Sequence, residues 1–191
     1  MKYVLAVLGV IVVAVLAIVL ITRGPSGKKN PAAPKKVVIS QQDTDSTSAI
    51  FTTQGKVVGE EQFRAIRITV SQDERRLEIL TGYDGTVSTS QVYPNTPSAY
   101  SAFLTSIEKA GFGLARKTTT TDPTGVCPLG RRSVYELKDY DQKLINLWNT
   151  SCGAKIGSFG GRAATVNSLF RAQIPKYQSQ VKGVSLSGTN D

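Results

Sequence analysis

The chain has 191 residues, no histidine and a formal net charge of +9. The absence of histidine excludes Ser-His and Cys-His nucleophilic sites and every metal site that uses imidazole. The charge is unevenly distributed, because residues 1–36 hold six basic and no acidic residues, which leaves 17 basic and 14 acidic residues, a net of +3, on residues 37–191. So small a charge gives no reason to expect nucleic acid as a partner.

An uncharged apolar run, Tyr3–Thr22, follows the first two residues. As a helix that rises about 1.5 Å per residue, it is long enough to cross a bilayer core of about 30 Å. A cleaved signal peptide and a buried core helix are the alternatives. The run is longer than a usual signal core, lacks a small-residue cleavage site and has no polar face. The sequence therefore predicts a transmembrane anchor over residues 1–22 that contacts the lipid bilayer through residues 3–22.

Residues 23–36 are rich in proline and glycine and contain no apolar period. This composition predicts a linker. Basic side chains next to a membrane anchor attract anionic lipid headgroups, although a solvated linker without lipid contact is an equally good interpretation. The residues expected to contact the membrane surface are Arg23, Lys28, Lys29, Lys35 and Lys36.

Residues 37–177 are expected to form one globular α+β domain. Val37–Ser40 is a candidate short first strand. Arg64–Val70 alternates apolar and polar residues, which predicts a half-buried strand. Turn signals then separate two further strands, one around Leu77 and one at Thr86–Tyr93, and together the strands predict an antiparallel meander.

The apolar period changes from two to that of a helix at Tyr100–Ile107. Asn95 or Thr96 can cap this helix, Pro97 suits its first turn, and Gly111 is a suitable end. We therefore expect an amphipathic helix that lies on the sheet.

A second strand–strand–helix pattern follows. The strands are expected at Val134–Leu137 and Leu144–Trp148, and the helix opens at Ser158–Ala164 and stops at Pro175. Residues 178–191 are expected to be a flexible tail. The fold class predicted is a two-layer α+β domain with one antiparallel sheet and two helices on one face.

The two halves suggest an internal duplication at an offset of 67 residues. Any two strand–strand–helix units align to some degree by hydrophobic pattern, so ordinary similarity of pattern is the alternative. The apolar positions that coincide are Ile68 with Tyr135, Val70 with Leu137, Leu77 with Leu144, Leu80 with Leu147, Phe103 with Phe170, and Ile107 with Ile174.

The two cysteines, Cys127 and Cys152, are too far apart in sequence for CxxC redox or zinc chemistry. They suit a disulfide in an oxidising compartment, and two buried thiols in a cytosolic domain are the alternative. The basic linker favours a cytoplasmic domain by the positive-inside rule, but a long domain can translocate regardless of flanking charge. We expect the domain to be extracytoplasmic.

No sequence pattern for a catalytic, cofactor or metal site is present. There is no G-x-S-x-G, H-E-x-x-H or phosphate-binding loop. Two carboxylate pairs, Asp43 with Asp45 and Asp139 with Asp141, lie where turns are expected and do not follow the calcium-loop spacing. We interpret both pairs as solvated turn residues.

Val134–Tyr177 contains LWNTSC, an SFGG turn and the helix end LFRAQIPKY. In these elements the chain resembles single-pass, membrane-anchored proteins of uncharacterised function from Saccharibacteria-like candidate-phyla bacteria, loosely over Ile66–Tyr177. The resemblance implies a bacterial envelope location and brings no assigned activity or functional residue.

The function expected from the sequence is a non-enzymatic, membrane-tethered binding module outside the cytoplasm. Its partner would be a protein, a peptide or an envelope polymer. The alternatives are an envelope hydrolase that uses carboxylates, and a peptidase inhibitor that presents the disulfide-held loop around Pro128.

Overall fold

The structure is a computed structural model that describes residues 37–120, 122–153 and 156–186. The predicted anchor at Tyr3–Thr22 and the basic linker lie outside these residues. Within the described ranges, no helix is long and apolar enough to cross a membrane. The chain forms one compact unit from Val37 onward.

One antiparallel sheet of six strands forms the centre of the domain. The strands are β1 Thr47–Gln54, β2 Arg64–Ser71, β3 Glu74–Thr81, β4 Thr86–Pro94, β5 Arg132–Asp139 and β6 Gln142–Thr150. Their order across the sheet is β4-β3-β2-β1-β5-β6, so β1 pairs with both β2 and β5. The predicted α+β class, the antiparallel sheet and the meander β2-β3-β4 are confirmed.

Three α-helices accompany the sheet in the described residues: α1 Pro97–Lys109, α2 Ala163–Ala172 and the short α3 Tyr177–Gln180. The helix α1 begins where the sequence predicts, because Thr96 Oγ1 accepts a hydrogen bond of 3.3 Å from Ala99 N. Gly111, just after the helix, has a φ of 87°, a conformation that favours glycine.

The sheet and both long helices share one apolar core. Phe170 of α2 lies among aromatic rings from each layer, with its ring centroid 5.5 Å from that of Phe51, 5.1 Å from that of Phe103 and 5.7 Å from that of Phe112. Both α1 and α2 therefore pack on the same face of the sheet. On that face, strand register aligns Phe51, Ile68, Leu77, Tyr135 and Leu147 in one row.

The candidate first strand at Val37–Ser40 is wrong. The segment instead enters a 3-10 turn at Ile39–Gln41. Its backbone is satisfied by a side chain, since Ile39 N and Ser40 N donate to the Glu108 carboxylate at 3.1 Å and 3.2 Å. Because α1 supplies these acceptors, the segment needs no neighbouring strand.

The sheet order does not support an internal duplication. The pair β2-β3 lies on one side of β1 and the pair β5-β6 on the other, with β2 and β5 both antiparallel to β1. Since both long helices cover the same face, the two halves are related by reflection, whereas copies of one unit keep their handedness. The core positions also differ, because Leu80 packs with Phe63 and Ala65, whereas Leu147, its counterpart, lies in the main core.

The first part of the expected flexible tail is packed on the domain, which corrects that expectation. After α3, the side chains of Val181, Val184 and Leu186 pack against the core. Lys56 N donates a hydrogen bond of 3.0 Å to Leu186 O. These apolar residues and this backbone contact hold the segment, while residues 187–191 lie outside the described residues.

Candidate functional site

The predicted disulfide between Cys127 and Cys152 is confirmed, with the two Cα atoms 5.7 Å apart. Cys152 lies just beyond the end of β6, and Cys127 lies in the long connection between α1 and β5. The bridge therefore fixes part of this connection against the end of the sheet.

The residues after Cys127 form a closed turn. Gly130 N donates to Cys127 O at 3.1 Å, and Pro128 O accepts from Val57 N at 2.7 Å. A Cβ at Gly130 would overlap Sγ of Cys127 and come within 2.6 Å of Ser151 Oγ, so only glycine fits beside the bridge. The Pro128 loop, which the peptidase-inhibitor alternative would present to a protease, is thus a closed turn whose Pro128 carbonyl is already hydrogen-bonded within the domain.

Arg131 follows this turn and has a fixed backbone. Its N–H donates to Ser151 Oγ at 2.9 Å, and Ser151 N donates back to Arg131 O at 2.9 Å. The Arg131 side chain is exposed. The disulfide-held segment therefore presents a cation from a rigid base.

A groove with a volume of about 640 Å³ opens beside this segment, and we call it the C-terminal groove. Three parts of the chain line it together with Ile66 of β2. The first is the disulfide-held segment 129–131 with Ser151, the second is the end of α2 with α3, and the third is the packed segment 183–186.

Arg171 and Tyr177 form the second of these walls. The guanidinium carbon of Arg171 lies 5.7 Å from the centre of the Tyr177 ring, within the range of a cation–π contact. Burial raises the pKa of the Tyr177 hydroxyl, and the Arg171 charge acts in the opposite direction by lowering it. The phenol therefore stays neutral at physiological pH.

A polar network adjoins Arg171 in the core. Tyr135 Oη donates to Asn167 Oδ1 at 2.8 Å, and Asn149 Nδ2 donates to Tyr135 Oη at 3.4 Å. Burial raises the pKa of Tyr135, whereas these hydrogen bonds and the Arg171 charge lower it. Arg171 thus acts electrostatically on the hydroxyls of Tyr135 and Tyr177, one in the core and one in the groove.

The groove lining is cationic. It contains Arg131 and Arg171, and none of the described residues that line it is Asp or Glu. Apolar side chains accompany the two arginines, including Leu129, which is 85% exposed. The arrangement can bind a group that carries negative charge beside apolar surface.

The acidic residues considered in the sequence lie away from this groove. Asp43 precedes β1 and accepts a hydrogen bond of 3.0 Å from Gln72 Nε2, and Asp139 lies at the end of β5 beside the turn to β6. Neither pair is part of the lining. Across the described residues, no group of three or more potential metal-binding side chains is brought together.

The sequence predicted the disulfide but not the groove. Leu129, Arg171 and Leu186 are brought together only by the tertiary fold. The one signal in the sequence is the apolar spacing of Val181, Val184 and Leu186, in a segment whose polar composition indicates a flexible tail. The five basic linker residues lie outside the described residues. Comparisons with family models, curated proteins and solved structures find no match to this chain.

Proposed function

We propose that the domain is a non-enzymatic binding module that holds a protein, a peptide or an envelope polymer in the C-terminal groove. The observation that carries the proposal is the groove itself, with about 640 Å³ of open volume. Its walls are held by a disulfide, by backbone hydrogen bonds and by a packed C-terminal segment. A site whose walls are already fixed loses little conformational entropy when a ligand binds.

The proposed location is the outer side of the cytoplasmic membrane of a bacterium. The Cys127–Cys152 disulfide supports an oxidising compartment. In this proposal Tyr3–Thr22 tethers the domain to the membrane, and the basic linker contacts anionic headgroups. The resemblance to anchored proteins of candidate-phyla bacteria supports the bacterial envelope as the location. The anchor would keep the module close to partners in the envelope.

The two alternative functions receive less support from the geometry. A hydrolase that uses carboxylates needs acidic side chains at the place where its substrate lies, and the described groove lining has none. An inhibitor presents an extended loop to a protease, whereas Pro128 belongs to a closed turn. The groove therefore favours binding over either alternative.

Site-specific photocrosslinking tests the proposal. A benzoylphenylalanine residue in place of Leu129, in the full chain in intact cells, is expected to give covalent adducts after irradiation. The same replacement at Val92 is the matched control, because Val92 is also exposed, at 53%, but lies on β4 and not in the groove. No adduct at position 129, or equal adduct formation at both positions, would contradict a binding role for the groove.

A further inference from the structure

We infer that the C-terminal groove takes a short acidic peptide segment that also carries apolar side chains. This inference rests on the proposed function, because it names the chemistry of the ligand for the same groove. Three properties of the described lining carry it: two arginines and no carboxylate among the lining residues, an exposed leucine at the disulfide-held wall, and a volume suited to a few residues.

The positive charge of the groove lining favours an anionic partner. Arg131 and Arg171 come from different elements and line the same space, and the described lining offers them no carboxylate. The Arg171 guanidinium packs over the Tyr177 ring at the groove wall, and its buried Nε has no hydrogen-bond partner among the described residues. Arginine donors pair with carboxylates through strong, charge-assisted hydrogen bonds.

The apolar lining favours a peptide over an anionic polymer. Leu129 is 85% exposed, and Val181, Val184 and Leu186 lie along the other parts of the groove. A peptide can bury leucine or valine side chains against these residues, whereas a phosphate polymer has no apolar side chain to place there. An exposed leucine beside cations is thus better explained by an acidic peptide with apolar residues.

The size of the groove limits the length of the segment. A volume of about 640 Å³ falls within the range of roughly 300–1,000 Å³ that is typical of small-ligand pockets. The groove therefore holds a few residues of a peptide and not an entire folded surface. Ser151 and Gln178 add polar groups to the lining that can contact a peptide backbone.

The test is a titration of the full chain, purified in a non-ionic detergent, with a fluorescent pentapeptide of sequence Leu-Glu-Leu-Asp-Leu. The matched probe is Leu-Gln-Leu-Asn-Leu, and inorganic polyphosphate serves as competitor. We expect the acidic peptide to bind about tenfold more tightly than the amide peptide, and added salt to weaken it. Polyphosphate is expected to compete poorly.

Three variants link binding to the groove. Arg171→Gln is expected to weaken the acidic peptide about tenfold, and Arg131→Gln less, because Arg131 is exposed and its ion pair is screened by water. Lys109→Gln removes one charge elsewhere and should leave binding unchanged. The backbone carbonyl of Lys109 accepts a hydrogen bond from Arg162 at the start of α2. Arg162 lies roughly 13 Å along that helix from Arg171. Thermal melting of each variant checks that it is folded.

The outcomes separate this inference from the proposed function. Equal binding of both peptides would overturn the acidic ligand and leave the binding module standing. Tight polyphosphate binding without peptide binding would overturn the peptide in favour of an anionic polymer. Failure of all three probes, together with adducts at position 129 in cells, would overturn this inference alone. Should Lys109→Gln weaken binding as much as Arg171→Gln, the groove assignment would be wrong.

Discussion

The guanidinium of Arg171 packs over the ring of Tyr177, with 5.7 Å between the guanidinium carbon and the ring centre. Arg171 lies in the last turn of α2 and Tyr177 begins α3, so their contact spans the corner between the two helices. The same two side chains line the C-terminal groove. The contact between Arg171 and Tyr177 therefore helps to hold α3 against α2 and also positions a positive charge in the groove.

Loss of the Tyr177 ring is expected to destabilise this corner. Tyr177→Ala removes the cation–π contact and part of the apolar packing, and should lower the free energy of unfolding by about 1–2 kcal/mol. Tyr177→Phe keeps the ring and should lie within about 0.5 kcal/mol of wild type. Urea denaturation measures both values, and equal losses for the two variants would show that the hydroxyl, not the ring, stabilises the corner.

Removal of the disulfide is expected to cost about 3 kcal/mol, from the loop-closure entropy of a bridge whose cysteines are 25 residues apart in sequence. The double variant Cys127→Ala/Cys152→Ala should therefore unfold at a lower denaturant concentration. Wild-type protein that has been reduced and alkylated is the second sample. If neither sample loses stability, the bridge does not hold the wall of the groove.

Gly130→Ala is expected to destabilise the protein by about 1–3 kcal/mol, because the added Cβ would overlap Cys127 Sγ. Gly59→Ala is the matched control, since a Cβ there meets no atom within 4 Å and Gly59 has an ordinary negative φ of −56°. In the Cys127→Ala/Cys152→Ala background the cost at position 130 should shrink, because both sulfur atoms are gone. An undiminished cost in that background would assign the clash to Ser151 alone.

Ionisation of Tyr100 is expected to destabilise the fold at high pH. Tyr100 is fully buried, and this burial raises its pKa to about 12, while its hydroxyl donates to Thr47 Oγ1 at 3.3 Å. Because the pKa of Tyr100 is higher in the folded state than the unfolded value of about 10, the contribution of this residue to the free energy of unfolding is fully present below pH 10. It is then lost as the pH rises towards 12, by roughly 2–3 kcal/mol in total.

Tyr100→Phe tests this pH dependence, because it removes the ionisable group and keeps the ring. The variant should lose less stability than wild type between pH 10 and pH 12 in urea denaturation. Tyr140→Phe is the control, since the Tyr140 side chain is 76% exposed, and it should follow the wild-type curve. Parallel curves for all three proteins would contradict the role assigned to Tyr100.

Local patterns in the sequence were sufficient for strands β2 to β6 and the first helix. The alternation at Arg64–Val70 and the Thr96 cap each depend on neighbouring residues, and the structure has β2 and α1 there. The central place of β1 depends on pairs such as Thr47 with Asp139, which are distant in sequence. No local period specifies such a partner.

The groove was missed for a related reason. Its charge comes from Arg131 and Arg171, which look like ordinary surface residues until the disulfide and the segment 183–186 bring their elements together. The polar, glycine-containing end of the chain resembled a frayed tail, and three apolar residues within it were too few to indicate packing. The short strand expected at Val37–Ser40 failed because Glu108, far along the chain, supplies its hydrogen-bond acceptors.

Maleimide mass-tagging of Cys127 and Cys152 shows whether the disulfide-held groove lies outside the cytoplasm, as we propose. Intact cells that carry the full chain are denatured and tagged, with and without prior reduction. We expect both cysteines to take up the tag only after reduction, since an exported pair is oxidised. Tagging of both cysteines without reduction would contradict it, because the domain would then lie in the reducing cytoplasm, as the basic linker alone suggests.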